Sequence, residues 1–285
     1  MKVVKLPSRF LLTQKHINVT ISILNELVKD GEKELAIDFS GLIDMRKGDL
    51  LVLIAQSEKA TIDKKIKLYR TGGIPNVSRI KKLFTAKSVF FHVNKTIEPS
   101  NLTDAEKENL VNPDIIDSVV KDLKKIGIKD YYVPFNIFLT ELVGNAVEHG
   151  IKAKNINWWL THEIDRKNQT VIYTFVDMGM GIINSHKEAG LPFRYNFVKH
   201  ENIVLDSLYG RLGSSTKEPN RGRGLQQLKD MIEKELISNL VLITNTVSLE
   251  YIDGTFVANN NPNFVGTYFS WTISKENIKK WKSVK

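Results

Sequence analysis

The first hundred residues alternate between short apolar runs and segments in which apolar residues recur at helical spacing. Residues 18–31, NVTISILNELVKDG, predict an amphipathic helix that ends at Gly31, because glycine readily adopts the conformation that closes a helix. The other predicted elements are a strand in ELAIDFSG (34–41), a helix in KGDLLVLIAQSEKA (47–60), a strand in KIKLYRT (65–71) and a helix in NVSRIKKLFTA (76–86). This alternation favours a small α/β unit around a mostly parallel sheet.

The rest of the chain has a different order, with helices first and strands later. Two helical patterns precede two strands that we expect to form a hairpin at residues 166–168, and three more strands come near the end. The segments are NPDIIDSVVKDLKKIG (112–127), YVPFNIFLTELVGNAVEHG (132–150), INWWLTHEID (156–165), QTVIYTFVD (169–177), NLVLITNT (239–246), VSLEYID (247–253) and GTYFSWTI (266–273). This order favours a two-layer α+β domain.

A polar segment separates the two patterns. Residues 96–109, TIEPSNLTDAEKEN, contain Pro99 and few apolar side chains, which is typical of a linker. We therefore predict two domains, one over residues 1–100 and one over residues 101–285.

Composition narrows the class of protein. Of the 285 residues, 42% are hydrophobic and 26% are charged, as in soluble globular proteins. The absence of cysteine excludes disulfides and thiolate metal sites, and no apolar run approaches the ~20 residues that span a bilayer. The N-terminal segment lacks the cleavage site of a signal peptide, so we expect a cytoplasmic protein without membrane contact. The formal charge of +9 is compatible with a solvated basic surface, a nucleic-acid surface or an acidic protein partner.

The helical pattern over residues 132–150 carries polar side chains among apolar ones. Glu141 and Asn145 are four residues apart, so a helix places them on one face. A carboxylate can orient or deprotonate a hydroxyl or a water, and an amide oxygen suits Mg²⁺. Alone, this pair is also typical of a solvated helix edge. His149 could likewise contact a phosphate or cap the end of the helix.

A carboxylate and two glycines follow the strand at 169–177. In FVDMGMGI, Asp177 ends the apolar run, and Gly179 and Gly181 allow a tight turn and a close approach of a ligand to the backbone. Asp177 could accept a hydrogen bond from an exocyclic amine such as that of adenine. The alternative is an ordinary turn that an aspartate caps.

A second pair of glycines opens a helical pattern. In NRGRGLQQLKDMI, Gly222 and Gly224 precede the pattern that starts at Leu225. Glycines at a helix start leave backbone N–H groups accessible to a phosphate, and Arg221 and Arg223 could add contacts to the same anion.

Taken in order, these features resemble a known family. ExxxN on a helix, DxGxG after a strand, GxGL at a helix start and Gly266-Thr267 at the start of a late strand resemble the Bergerat-type ATP-binding fold. This is the GHKL group of gyrase, Hsp90 chaperones, histidine kinases and MutL proteins. The resemblance covers residues 105–275 and implies ATP and Mg²⁺ as cofactors.

The resemblance also implies roles by position. Glu141 would activate the nucleophile and Asn145 would bind Mg²⁺, whereas Asp177 would read adenine with support from Thr267. The remaining cofactor-binding residues would shape the pocket or hold the phosphates: Gly179, Gly181, Arg221, Gly222, Arg223, Gly224 and Leu225. The residues between Gly181 and Gly222 would hold the ATP lid.

The segment NAVEHG narrows the resemblance to one branch. It resembles the NAxxHG of anti-sigma-factor serine kinases, whose small partner has the STAS fold. Residues 37–54, IDFSGLIDMRKGDLLVLI, resemble the STAS strand–turn–helix itself. The turn at 44–48 lacks the acceptor serine of such partners, so the implied role of the N-terminal domain is docking, dimerisation or regulation rather than a phosphoswitch.

Three functions stay open at this point. The leading hypothesis is an Mg²⁺-dependent ATP-binding regulator with serine/threonine kinase or ATPase activity that acts through a protein partner, of STAS type or another regulatory kind. The alternatives are a non-catalytic ATP-gated module that sequesters a partner, and a nucleic-acid-associated ATPase that only the net charge favours. A homodimer stays open. Of the tandem pair Trp158-Trp159, we expect one ring in the core and the other on a contact surface.

Overall fold

A computed structural model describes residues 1–29, 31, 33–73, 77, 105–108, 113–151, 158–212 and 224–284. The chain divides into two compact units. The first comprises Met1–Ala105 with Asn261–Phe264, and the second comprises Glu106–Asn260 with Val265–Lys285.

The first unit is built around a parallel sheet. Its elements are β1 (Lys2–Lys5), β2 (Arg9–Phe10), α1 (Ile17–Leu27), β3 (Glu34–Asp38), β4 (Asp44–Met45), α2 (Lys47–Lys64) and β5 (Lys67–Thr71). Strands β1, β3 and β5 pair in parallel in that order, and β2 pairs in parallel with β4. The alternating strands and helices predicted for this region are therefore confirmed through residue 71.

Two details of the first unit differ from the prediction. Helix α1 ends at Leu27 rather than at Gly31, because its buried stripe of Ile17, Ile21, Leu24 and Leu27 finishes there and the next residues, Val28 and Lys29, are not buried. Strand β1, which the periodicity did not predict, pairs with β3 through Val3 and Val4. The helix predicted over residues 76–86 lies outside the described residues.

The start of α2 is closed by side chains. Asp49, which is fully buried, accepts hydrogen bonds from the Arg46 backbone N–H (3.0 Å) and from Arg46 Nε (3.0 Å). It also accepts one from the Leu12 backbone N–H at 2.9 Å. The predicted turn without an acceptor serine is thus a helix start sealed by an internal ion pair.

The second unit has a five-stranded sheet. Its elements are β6 (Ala105–Glu108, of which Ala105 belongs to the first unit), α3 (Pro113–Lys121), a 3₁₀ turn (Asp122–Ile126), α4 (Val133–Ile151), β7 (Trp158–Asp165), β8 (Thr170–Asp177), α5 (Ile182–Glu188), a 3₁₀ turn (Phe193–Phe197), α6 (His200–Leu208), α7 (Gly224–Glu233), β9 (Ser238–Ile252), β10 (Thr255–Ser274, of which Asn261–Phe264 belong to the first unit) and α8 (Lys275–Val284). The strand order is β6-β7-β8-β10-β9, and β8 is antiparallel to both β7 and β10. The chain is a mixed α/β protein.

Apolar side chains of the helices and the sheet form one core in the second unit. The Phe135 ring of α4 lies 4.6 Å from that of Tyr173, which stacks on Trp271 at 5.7 Å. All three side chains are essentially inaccessible to solvent. Aromatic pairs of this kind contribute roughly 0.5–1.5 kcal/mol beyond their burial. This packing fixes α4 on the sheet, and α4 carries Glu141 and Asn145.

The strands of the second unit are longer than predicted. The segments 239–246 and 247–253 form one strand, β9, and β10 begins at Thr255 rather than at Gly266. Asp253 and Gly254, with φ of 48° and 81°, make the two-residue turn between them. The prediction ended one strand at Thr246 and began the next at Val247, after the polar residues Thr244, Asn245 and Thr246. The segment predicted as a linker contains β6 at its end.

One further prediction is wrong. Trp158 is 1% exposed and Trp159 is 5% exposed, so neither ring marks an exposed contact surface, because both faces of β7 are covered at this point. The forty-residue segment to which the resemblance assigns the ATP lid contains helices α5 and α6 and a 3₁₀ turn, and these bury Ile183, Tyr195 and Ile203. Residues 213–223 of that segment lie outside the described residues.

Candidate functional site

Asp177 and Thr267 lie opposite each other at the end of the sheet. They are paired residues of β8 and β10. The Asp177 carboxylate accepts hydrogen bonds from the Gly179 backbone N–H (2.8 Å) and from the hydroxyl and backbone N–H of Thr267. Three donors therefore hold the carboxylate in one orientation.

Burial changes the acidity of this carboxyl group. Desolvation raises the pKa of Asp177 to about 6, and the hydrogen bonds from Gly179 and Thr267 oppose that rise. The residue as a whole is half-buried, although its carboxyl group is enclosed by protein atoms. At neutral pH Asp177 is mostly ionised, so it can accept a further hydrogen bond from a ligand.

The backbone next to Asp177 and Thr267 leaves room only for a glycine at position 266. It has φ of 92°, and a Cβ at this position would overlap the carbonyl oxygen of Asp177. A larger residue would push β10 away from β8 where Thr267 meets Asp177. The glycine–threonine pair singled out in the sequence is therefore a packing requirement of this strand pair.

The turn after Asp177 is held by strand β9. Gly181, with φ of 78°, precedes α5. The Ile182 backbone N–H donates to Thr244 Oγ1 at 2.9 Å, and the Ile183 backbone N–H donates to Asn245 Oδ1 at 3.0 Å. Sequence reasoning missed Thr244 and Asn245. A polar pair inside the apolar run NLVLITNT was the signal that could have found them.

A second group of predicted residues meets where α4 and α7 pack together. Gly224 is the first residue of α7, and a Cβ there would overlap the side-chain nitrogen of Asn145 and lie 3.4 Å from Glu141 Cβ. Two sequence motifs about eighty residues apart therefore lie side by side. The first backbone N–H groups of α7, a ten-residue helix, therefore lie beside the side chains of Glu141 and Asn145.

The polar stripe on α4 is accessible, whereas its neighbours are not. Glu141 and Asn145 are half-buried. Leu142, Val143 and Ala146 are buried in the core of the second unit. The helix therefore uses one face for packing and presents the other at the start of α7.

Of the remaining predicted residues, one packs against the core and the others lie outside the described residues. Leu225 packs against the core as a partly buried residue. Arg221, Gly222 and Arg223, and the side chain of His149, lie outside what the structure describes. Within the described residues, no group of three or more histidine, aspartate or glutamate side chains could hold a metal by itself. A Mg²⁺ ion here would need other ligands besides the Asn145 amide.

The segment between Gly181 and α7 has its own polar contacts. Arg211 pairs with Asp206 at 2.9 Å. His200 Nδ1 lies 2.7 Å from Thr246 Oγ1, and His186 Nε2 lies 2.9 Å from Ser207 Oγ. The His186–Ser207 contact joins α5 to α6, the His200–Thr246 contact joins α6 to β9, and the Arg211–Asp206 pair lies at the C-terminal end of α6.

Comparisons of the chain with protein-family models, with curated proteins and with solved structures gave no match. Among the helices that the structure describes, none is both long and apolar enough to cross a bilayer.

Proposed function

We propose that the second unit is an ATP-binding domain of the Bergerat, or GHKL, type and that the protein acts as an Mg²⁺-dependent kinase or ATPase on or through a protein partner. The observation that carries the proposal is the pairwise convergence of four separate motifs. Asp177 faces Thr267 across two strands, and Gly224 begins a helix against Glu141 and Asn145. A chance set of short motifs would not be expected to assemble in this way.

One end of the site suits an adenine base. An ionised Asp177 accepts a hydrogen bond from an amino group, and its orientation is fixed by Gly179 and Thr267. A buried, oriented acceptor discriminates strongly, because a ligand without the matching donor leaves it unpaired. This chemistry selects a base with an exocyclic amine at that position.

The other end suits phosphates and their metal ion. The start of α7 offers backbone N–H groups and the positive end of a helix dipole. The side-chain oxygen of Asn145 is a ligand type that Mg²⁺ accepts, and bound Mg²⁺ would neutralise phosphate charge. Gly224 lets the Asn145 amide lie against the start of α7, because a Cβ there would overlap its side-chain nitrogen.

Glu141 is the residue we assign to the chemical step. It is half-buried and lies one helical turn from Asn145 at the same helix start. A carboxylate in this place can orient the attacking hydroxyl or water and accept its proton. The acceptor is a protein hydroxyl in a kinase and water in an ATPase. A STAS-type or another regulatory protein is the proposed partner, as the sequence resemblance implies.

The proposal is tested by calorimetry with ATP and Mg²⁺ on the wild-type chain and on Asn145→Ala. The matched control is Asn136→Ala, on the same helix, whose amide bonds the Tyr131 hydroxyl instead. We expect a loss of at least tenfold in Mg²⁺-dependent ATP affinity for Asn145→Ala and no change for the control. Equal affinity in all three proteins would contradict the assignment of Asn145.

Measuring ATP turnover distinguishes a kinase from an ATPase and from a binding module without activity. With γ-labelled ATP, we expect labelled protein or free phosphate from the wild type and neither from Glu141→Gln. Nucleotide binding without turnover in the wild type would leave a binding module and remove the catalytic part of the proposal.

A further inference from the structure

The glycine turn after Asp177 is clamped on both sides of Gly181 by one side chain. Asn245 Nδ2 donates to the Met180 carbonyl oxygen at 2.8 Å, and Asn245 Oδ1 accepts from the Ile183 N–H at 3.0 Å. A Cβ on Gly181 would collide with this amide, so the side chain occupies the space that the glycine leaves. The turn therefore cannot shift without breaking two hydrogen bonds of a buried amide.

Thr244 and Asn245 of β9, which together we call the clamp, also cap helix α5. The residue before the helix is Gly181, which has no side chain to receive the first N–H groups. Thr244 accepts from the Ile182 N–H at 2.9 Å, and Asn245 accepts from the next N–H. These two residues supply what a serine or aspartate normally supplies at a helix start.

Strand β9 adopts an unusual backbone conformation at this point. Asn245 has φ of 49° and is 3% exposed. Left-handed backbone is unfavourable for residues other than glycine, and asparagine tolerates it best. The strand accepts this cost where its side chain reaches across to the glycine turn.

Thr244 extends the clamp to the partner of Asp177. Its Oγ1 lies 3.4 Å from the Gly266 carbonyl oxygen and donates to it. Gly266 directly precedes Thr267, whose hydroxyl bonds the Asp177 carboxylate. One buried threonine thus connects the glycine turn with the strand that orients the carboxylate.

We infer that Thr244 and Asn245 are positioning residues that fix the glycine turn against Asp177 and so set the preference of the site for adenine over a base without the amino group. The part of this inference that concerns the base rests on the proposed function. The part that concerns the turn does not.

The experiment has two readouts on the full chain. The first is amide exchange at Ile182 and Ile183 without nucleotide. The second is the ratio of the dissociation constants for ITP and ATP, since inosine carries a carbonyl oxygen where adenine carries its amino group. The variants are Asn245→Asp, which keeps an acceptor for Ile183 and loses the donor to Met180, and Thr244→Val, which keeps the shape and loses the hydroxyl.

Each variant has a matched control on β9. Asn239→Asp makes the same change at another positive φ, 52°, on an exposed residue. Thr246→Val removes a hydroxyl that bonds His200 instead of the turn. Thr244→Ser restores the hydroxyl and should restore both readouts, which a general loss of stability would not do.

We expect at least tenfold faster exchange at Ile182 in Thr244→Val, and a fall of about tenfold in the ITP/ATP ratio in both variants. Wild-type exchange and wild-type base preference in both variants would overturn the inference. If the wild-type chain binds neither nucleotide, the proposed function and the base preference fail together, and amide exchange alone decides whether the clamp holds the turn. If Asn245→Asp does not fold, Thr244→Val and Thr244→Ser give the same decision.

Discussion

Helices α2 and α7 begin in opposite ways. Asp49 closes the start of α2 and accepts from the backbone and guanidinium of Arg46 and from the Leu12 N–H. Helix α7 begins with Gly224, which places no side chain over the first turn and lies against Asn145. The N-terminal end of α2 is therefore occupied by the buried Asp49 side chain, whereas the N-terminal end of α7 faces a half-buried polar stripe.

The difference separates a buried side chain that stabilises the fold, Asp49, from a half-buried one, Asn145, to which the proposed function assigns a ligand. Asp49 is fully buried and makes all its contacts within the protein, whereas Asn145 is half-buried. The comparison fails if the sealed helix start affects nucleotide binding, or if the start of α7 tolerates a larger residue. The predictions below follow from it.

Replacing Asp49 should have the largest effect. We expect Asp49→Ala to lower the free energy of unfolding by about 3 kcal/mol, because it removes a helix cap and takes away one acceptor of the Leu12 N–H and of the Arg46 side chain. Urea denaturation measures the change. The control is Glu26→Ala in the same unit, where an exposed ion pair with Lys2 contributes at most about 1 kcal/mol. A loss as small as the control's would mean that the seal contributes little.

The ionisation of Asp177 should make stability depend on pH. The pKa of Asp177 in the folded protein is about 6, against 3.8 for an ordinary aspartate, so the folded state binds the proton more tightly. Stability is favoured below pH ~4 and falls as pH rises to ~6, by up to about 3 kcal/mol from this group. Asp177→Asn cannot ionise, so its unfolding free energy relative to wild type should rise over that window. A difference that is flat between pH 4 and 7, measured by urea denaturation, would contradict the raised pKa.

Gly224 and Gly144 offer a matched pair of glycines. A Cβ at Gly224 would overlap the Asn145 amide, whereas a Cβ at Gly144 on α4 would meet nothing within 4 Å. We expect Gly224→Ala to weaken ATP binding by at least tenfold, about 1.4 kcal/mol, in calorimetry. Gly144→Ala should leave binding unchanged and stabilise the helix by up to about 1 kcal/mol. Equal ATP affinities in both variants would mean that the start of α7 does not require a glycine.

Much of the fold follows from local patterns in the sequence. The amphipathic stripe of α4 and the apolar strands β7 and β8 predicted those elements, because burial enforces the period of a helix or a strand. Long strands were harder to predict. Asn245 breaks the apolar run of β9, and its reason is the contact with Gly181, which no local pattern reveals.

The candidate site was predictable only where its residues carry a motif. Asp177, Thr267, Asn145 and Gly224 belong to motifs, and the structure brings them together in pairs. Thr244 belongs to no motif, and neither does the contact of Asp49 with Leu12. Their partners lie 62 and 37 residues away along the chain, so only the three-dimensional arrangement shows these roles.

The central claim is that Asp177 reads the adenine of a bound ATP. Calorimetry at pH 7.5 with ATP and Mg²⁺ should give saturable binding to the wild-type chain and at least a tenfold loss for Asp177→Asn, whose amide would present a donor to the amino group of the base. Because Asp177→Asn removes a buried charge and is expected to fold, weakened binding would report on recognition rather than on stability. Wild-type affinity in Asp177→Asn, or no binding to the wild-type chain, would contradict the claim.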